Sequence, residues 1–300
     1  MSDLTGIVID QLSKTYADSR TPALDKVTLS VRPGEVYGFL GANGAGKSTT
    51  IRLLLNFIQP TKGSATINGL DVVKDSVAVK RHVGYLSGEV TMWNKVTGHD
   101  LFAYLSKLQQ LDTSEYLHEL ITRFEAEPHK LISSLSKGNR QKIGVIQALM
   151  HKPDVLILDE PTSGLDPLMQ EVFYETIREA SARGAAVFVS SHNLAETQRM
   201  CDRIGIIKHG KLIREQSVKG DISLGSTTIR IVLADAKQIE YLSNQKSVKI
   251  LSRDGNSVVV QPTSSIANAL KILSQCDIKS FATEQLNLED EFLEYYGDGA

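Results

Sequence analysis

Val36-Tyr37-Gly38-Phe39-Leu40-Gly41-Ala42-Asn43-Gly44-Ala45-Gly46-Lys47-Ser48-Thr49 is the stretch that decides the fold. Its first five residues are an apolar run of the length of a buried strand. From Gly41 to Ser48 the spacing is G-x-x-x-x-G-K-[ST], and a helix follows with Ile51, Leu54 and Leu55 on one face. A strand running through a glycine-rich loop into a helix is an α/β unit. The glycines let backbone N–H groups converge on an anion, and the helix adds the positive end of its dipole. Lys47 supplies a point charge for β- and γ-phosphates, and Ser48 a hydroxyl for Mg²⁺. The candidate phosphate-binding residues are therefore Gly41, Asn43, Gly44, Ala45, Gly46, Lys47, Ser48 and Thr49.

Moving outward, Val155–Leu158 is a second buried apolar run, and it ends in Asp159-Glu160-Pro161. Open α/β sheets present their ligands at the carboxyl ends of strands. Asp159 then holds Mg²⁺, directly or through water, and Glu160 polarises the attacking water. Without the phosphate loop, the same two acids would read as the start of an exposed loop. Together the loop and the acids indicate a P-loop NTPase.

About twenty residues before Asp159 stands Leu135-Ser136-Lys137-Gly138-Asn139, just ahead of a helical pattern. Ser136 is a good N-cap, so a plain helix start is one reading. The segment also resembles the LSGGQ signature of the ABC (ATP-binding cassette) ATPases. Ser136 and Gly138 match that pattern, and Lys137 and Asn139 depart from it. Further matches run from Ile7 to about Arg214. Tyr16 stands where the family has an aromatic that stacks on adenine. Ser163-Gly164-Leu165-Asp166 resembles the D-loop, and His192 resembles the switch histidine that contacts the γ-phosphate. For Tyr16 and His192 a purely structural role is the alternative. The family's metal-holding Gln is missing: Gly88 occupies its place, with Glu89 beside it. Glu89 is either a replacement metal ligand or a solvated loop charge. Trp93, after Met92, is either an anchor for a partner or a core residue.

The resemblance implies an ATPase using ATP and Mg²⁺, with Glu160 and His192 catalytic, and Ser48, Asp159 and Glu89 as the metal set. It implies two copies facing head to tail, each nucleotide also being touched by Ser136, Gly138 and Asp166 across the seam. The closing segment around Leu288–Leu293 resembles tails on ATPase subunits of ABC-2-type exporters. A separate transmembrane permease is the expected partner, and the cytoplasmic face of the membrane the expected location. A soluble ABC ATPase acting on ribosomes or DNA is the alternative. Such proteins usually carry two cassettes with a charged linker, or zinc or coiled-coil insertions, and neither pattern is visible. A P-loop kinase or GTPase fits less well, given Leu135–Asn139 and the lack of an obvious NKxD motif.

The rest of the chain sets the frame. Strand and helix patterns alternate through roughly residue 215, with a block of helices inserted at about 91–150. A boundary near Gly220–Ser226 divides an ATPase domain, 1–218, from a small α+β domain, 219–300. The order βαββαβ in the second domain suggests a ferredoxin-like split-βαβ fold. The helical stripes expected are Leu101, Leu105, Leu108 and Leu117, Ile121, Phe124, and Leu286–Tyr296 reads as an acidic amphipathic helix. Against 35 Asp+Glu there are 33 Lys+Arg, a formal charge of -2, so no nucleic-acid partner is expected. Cys201 and Cys276 form neither a CxxC pair nor a disulfide framework, which suits a reducing compartment. No signal peptide and no stretch of ~20 apolar residues is apparent, so any membrane role comes through a partner.

Overall fold

The computed structural model describes residues 6–89, 95–110, 113–218, 227–235, 237–263 and 265–285. The chain divides into two compact units, Met1–Lys219 and Gly220–Ala300.

The first unit opens with strands β1 (Ile7–Lys14), β2 (Leu24–Val31) and β3 (Val36–Leu40), then helix α1 (Lys47–Leu54). Next come β4 (Lys62–Ile67), β5 (Leu70–Asp71), α2 (Ser76–His82) and β6 (Val83–Leu86). Three helices follow: α3 (Gly98–Gln109), α4 (Ser114–Arg123) and α5 (Lys137–Leu149). The unit continues with β7 (Val155–Asp159), α6 (Pro167–Ala182), β8 (Ala186–Ser191), α7 (Leu194–Met200), β9 (Arg203–Lys208) and β10 (Lys211–Ser217).

Six strands form the central sheet in the order β10-β9-β3-β8-β7-β6. Every pair from β9 to β6 is parallel, and β10 closes one edge as an antiparallel hairpin. Strands β3, β7 and β8 are buried along their whole length. Their continuous apolar sequences suit a sheet covered on both faces. Phe39 and Phe188 meet with ring centroids 5.3 Å apart inside the core. Register then sets the functional geometry: Leu40 lies beside Ser191, and Asp159 beside Ser190. The carboxyl ends of β3, β7 and β8 thus lie side by side, which is where such sheets hold ligands. A smaller antiparallel sheet, β2-β1-β4-β5, has its own hairpin at Asn68-Gly69, both residues with positive φ.

Thr97 and Asp100 form a capping box at the start of α3. The helical stripes match expectation in part: Leu101 and Phe124 are buried as expected, and the other expected positions are less buried. On α3 the buried pair is Leu101 and Phe102, while Leu108 is 65% exposed. On α4 Tyr116, Leu120 and Phe124 are buried, and Leu117 and Ile121 are only half-buried. Both sets repeat at helical spacing, so periodicity alone does not say which one faces the core. Strand β6 packs backbone-close on α5: a Cβ on Gly84 would fall 2.1 Å from the Ala148 carbonyl oxygen.

The second unit holds β11 (Thr227–Leu233), α8 (Gln238–Ser243), β12 (Val248–Asp254), β13 (Ser257–Pro262), α9 (Ile266–Leu273) and β14 (Ile278–Gln285). Its sheet order is β12-β13-β11-β14, antiparallel throughout. That is the order of two interleaved split βαβ units. Ile229, Ile231, Val258 and Val260 pack with Leu242, Ala269 and Leu273 as its core. The expected helix Leu286–Tyr296, the boundary Gly220–Ser226, and Met92 and Trp93 lie outside the described residues. Among the described residues no helix is long and apolar enough to cross a membrane.

Candidate active site

Between β3 and α1 the chain turns on glycines with positive φ, Gly44 at 79° and Gly46 at 117°. Gly46 caps α1, and a Cβ there would lie 2.9 Å from the Ala23 carbonyl oxygen. Only glycine fits both the dihedral and the space. Lys47 is 6% exposed. Its ammonium donates to the carbonyls of Gly41 (2.6 Å) and Ala42 (3.3 Å) and sits 3.5 Å from Glu160 Oε1. The loop therefore holds one cation at its own centre.

At the end of β7, Asp159 is 8% exposed. Ser48 Oγ donates to Asp159 Oδ2 at 3.0 Å, and Ser190 Oγ donates to Oδ1. Glu160 has φ +49°, a left-handed conformation that is uncommon and strained for a non-glycine residue. Its N–H is fixed by the Ser190 carbonyl at 3.1 Å. Its carboxylate is turned toward His192 Nδ1 at 2.7 Å and toward Lys47. Tyr85 flanks the acids, and its hydroxyl pKa is raised, first by burial and then by the Asp159 charge.

These groups line one open cavity of about 770 Å³. Of the residues expected from sequence, Asn43, Gly44, Gly46, Lys47, Ser48, Thr49, Glu89, Asp159, Glu160 and His192 lie in its wall. Gly41 contributes the carbonyl under Lys47, and Ala45 is buried beneath the loop. Gly88, where the missing Gln would stand, abuts Asp159: a Cβ there would be 3.4 Å from Oδ2. Ser48 and Asp159 give adjacent hard oxygen donors, the chemistry that suits Mg²⁺. Among the described residues no group of three or more His, Cys, Asp or Glu forms a metal cluster.

Besides Gly41 and Ala45, four expected residues are not in this wall. Tyr16 is 37% exposed, with the Lys14 ammonium 5.5 Å from its ring centroid. Ser136 caps α5, accepting from the Asn139 N–H at 3.2 Å. Asp166 caps α6, accepting from the Met169 N–H at 3.0 Å. A Cβ on Gly138 would lie 2.8 Å from the Gly164 carbonyl oxygen, so the 135–139 segment and the 163–166 loop adjoin each other. Sequence reading missed Ser190, whose only signal is its place at the end of an apolar strand, and Lys137 and Ser163 as members of the wall.

Residues 24–163 match the family described as ABC transporter. The uncharacterized ABC transporter ATP-binding protein YhcH of Bacillus subtilis is 32% identical over 280 residues, covering 92% of this chain and 91% of that protein. The chain belongs to the ABC transporter ATP-binding proteins. As a member of this ATPase family the cassette binds and hydrolyses ATP, and the cavity at the strand ends is its candidate site. The bacitracin transport ATP-binding protein BcrA of Bacillus licheniformis is 35% identical over 217 residues, 70% of this chain and 69% of BcrA. The solved structure of an ATP binding subunit of an ABC transporter superposes with a TM-score of 0.66 at 30% identity, over 71% of this chain and 90% of that one.

Proposed function

We propose that this ABC ATPase drives a separate membrane-spanning permease, and that it works as an exporter motor from the cytoplasmic face of the membrane. The permease reading is supported by the family and by the lack, among the described residues, of a helix able to span a bilayer. The export reading is supported by the resemblance of the Leu288–Leu293 segment to tails on ATPase subunits of ABC-2-type exporters. The second unit is proposed as an accessory domain of the motor.

The observation that carries the mechanism is the meeting of Lys47, Asp159, Glu160 and His192 in one cavity. The triphosphate of ATP lies against Gly44–Thr49, where backbone N–H groups, the α1 dipole and Lys47 offset its charge. Ser48 and Asp159 hold Mg²⁺, with Glu89 as a third oxygen donor from the same wall; the ion when bound neutralises phosphate charge. Glu160 orients and deprotonates the attacking water, its left-handed backbone aiming the carboxylate. His192, 2.7 Å from that carboxylate, holds it in place and reaches the γ-phosphate. Tyr16 stacks on the adenine.

Ser136, Gly138 and Asp166 stand outside the cavity of their own chain, so one chain has the parts of a site without a closed site. Two copies facing head to tail bring these groups of one chain over the nucleotide of the other. ATP then favours the closed pair, and hydrolysis opens it, which is how binding energy becomes motion. The test is purification of the tagged chain from detergent-solubilised membranes of its native host. A polytopic membrane protein recovered in about equal amount supports the proposal; its absence, with ribosomal proteins or DNA recovered instead, refutes it.

A further inference from the structure

A second cavity, of about 140 Å³, lies among β6, α3 and the end of α5. Val83, Tyr85, Leu105 and Met150 form its apolar wall, and Gln109, Gln147 and His151 its polar wall. No Asp, Glu, Lys or Arg lines it. Two atoms of this wall, Gln109 Oε1 and His151 Nε2, are buried with no hydrogen-bond partner. Among the described residues they are the only buried side-chain polar atoms left so, and both belong to the one cavity. Both are acceptors. Burial lowers the His151 pKa, so the ring is neutral near pH 7, and its other nitrogen serves the Val83 backbone. Buried polar groups are almost always bonded, so an orphan pair in one wall calls for a donor between them. Water alone fits poorly. The volume has room for about four waters at ~30 Å³ each, and each needs two to four polar partners. Against Val83, Leu105, Met150 and the Tyr85 ring most of them would lack those partners. A cavity of about 150 Å³ takes a benzene ring.

We propose that this cavity is an effector site for a small neutral aromatic molecule bearing a hydrogen-bond donor, a phenol or an aromatic amine. The ring lies against Leu105, Met150 and Tyr85, and the donor end meets Gln109 Oε1 or His151 Nε2. The absence of lining charge selects against ionic ligands, whose desolvation nothing there would offset. Tyr85 alone belongs to the walls of both this cavity and the larger one, where it flanks Asp159. An occupant of the small cavity therefore touches a side chain of the nucleotide wall, and the two ligands alter each other's affinity. That coupling rests on the larger cavity being the nucleotide site; binding of the aromatic molecule does not.

The test titrates phenol, and toluene as the donorless control, into the chain labelled at its methionine methyls. The Met150 resonance, assigned with Met150→Leu, reports binding. Phenol should move it saturably. Gln109→Met and His151→Phe each remove one acceptor and keep an apolar wall. At least one of them should weaken phenol about tenfold, the size of one hydrogen bond, while toluene binding is retained and shows the cavity intact. Saturating ATP should change the phenol affinity by about fivefold or more, and by reciprocity phenol should change the ATP affinity by the same factor. Tyr85→Leu should abolish that mutual effect. No saturable shift of Met150 with phenol overturns the site, and equal losses of phenol and toluene in both variants overturn the donor assignment. Phenol affinity unmoved by ATP, in a chain shown by calorimetry to bind ATP, overturns the coupling. A chain that binds phenol at Met150 but no ATP upholds the site and refutes the nucleotide reading instead.

Discussion

Glu160→Gln should leave a chain that binds ATP and scarcely turns it over. The substitution keeps size and the left-handed backbone demand, so the fold is expected to stand. What it removes is one negative charge and one proton acceptor. Loss of a positioned general base costs about 10²–10⁴ in rate, or roughly 3–5 kcal/mol of barrier. The same charge lies 3.5 Å from the Lys47 ammonium. A pair at that spacing interacts by about 5 kcal/mol before solvation is counted, at an effective dielectric of ~20. Releasing Lys47 to the phosphates therefore keeps ATP affinity or tightens it. Phosphate release, nucleotide titration and sedimentation with ATP read the three consequences: turnover down by at least about a hundredfold, affinity undiminished, and ATP-dependent pairs accumulating. Turnover within a factor of about three of the unaltered chain would refute the base role of Glu160.

Three further outcomes are expected. Ser190→Ala takes a hydroxyl from the buried Asp159 carboxylate and from the Glu160 N–H; a loss of about 1–3 kcal/mol predicts turnover down by roughly ten- to a hundredfold with ATP binding kept, and unchanged turnover would contradict it. Gly84→Ala drives a methyl to 2.1 Å from the Ala148 carbonyl and should cost about 1–3 kcal/mol or more, read as a lowered Tm. His151 has a pKa lowered by burial, a hydrogen bond to Val83 and the Asp154 charge only partly opposing it. The unfolded chain then binds the extra proton more readily, so stability falls as pH drops below about 6.5 and levels off below the folded value. His151→Gln should flatten that acid-side fall in Tm, and parallel curves for the two chains would show that His151 is not its source.

What the sequence made legible was what local chemistry dictates. Val36–Leu40 and Val155–Leu158 announce themselves as buried strands because both faces are covered. The spacing of Gly44, Gly46 and Lys47 carries its own geometry, since only glycine turns there. The neighbourhood of Asp159, Glu160 and His192 followed from placing each at a strand end. Less legible were contacts set by register between distant segments. Ser190 meets Asp159 only because β7 and β8 pair at those positions. Lys137 meets the wall by lying along Gly164, a contact between segments far apart in sequence. On α4, Tyr116 and Leu120 compete with Leu117 and Ile121 for the core, and packing rather than period decides.

The most direct measurement is calorimetric titration of ATP into the unaltered chain and into Lys47→Ala. Lys47 is the buried cation at the centre of the phosphate loop. The unaltered chain should bind one ATP per chain, and Lys47→Ala should lose most of that affinity while keeping its fold. Equal binding by the two chains would contradict the placement of the triphosphate on Gly44–Thr49, and with it the mechanism built on that site.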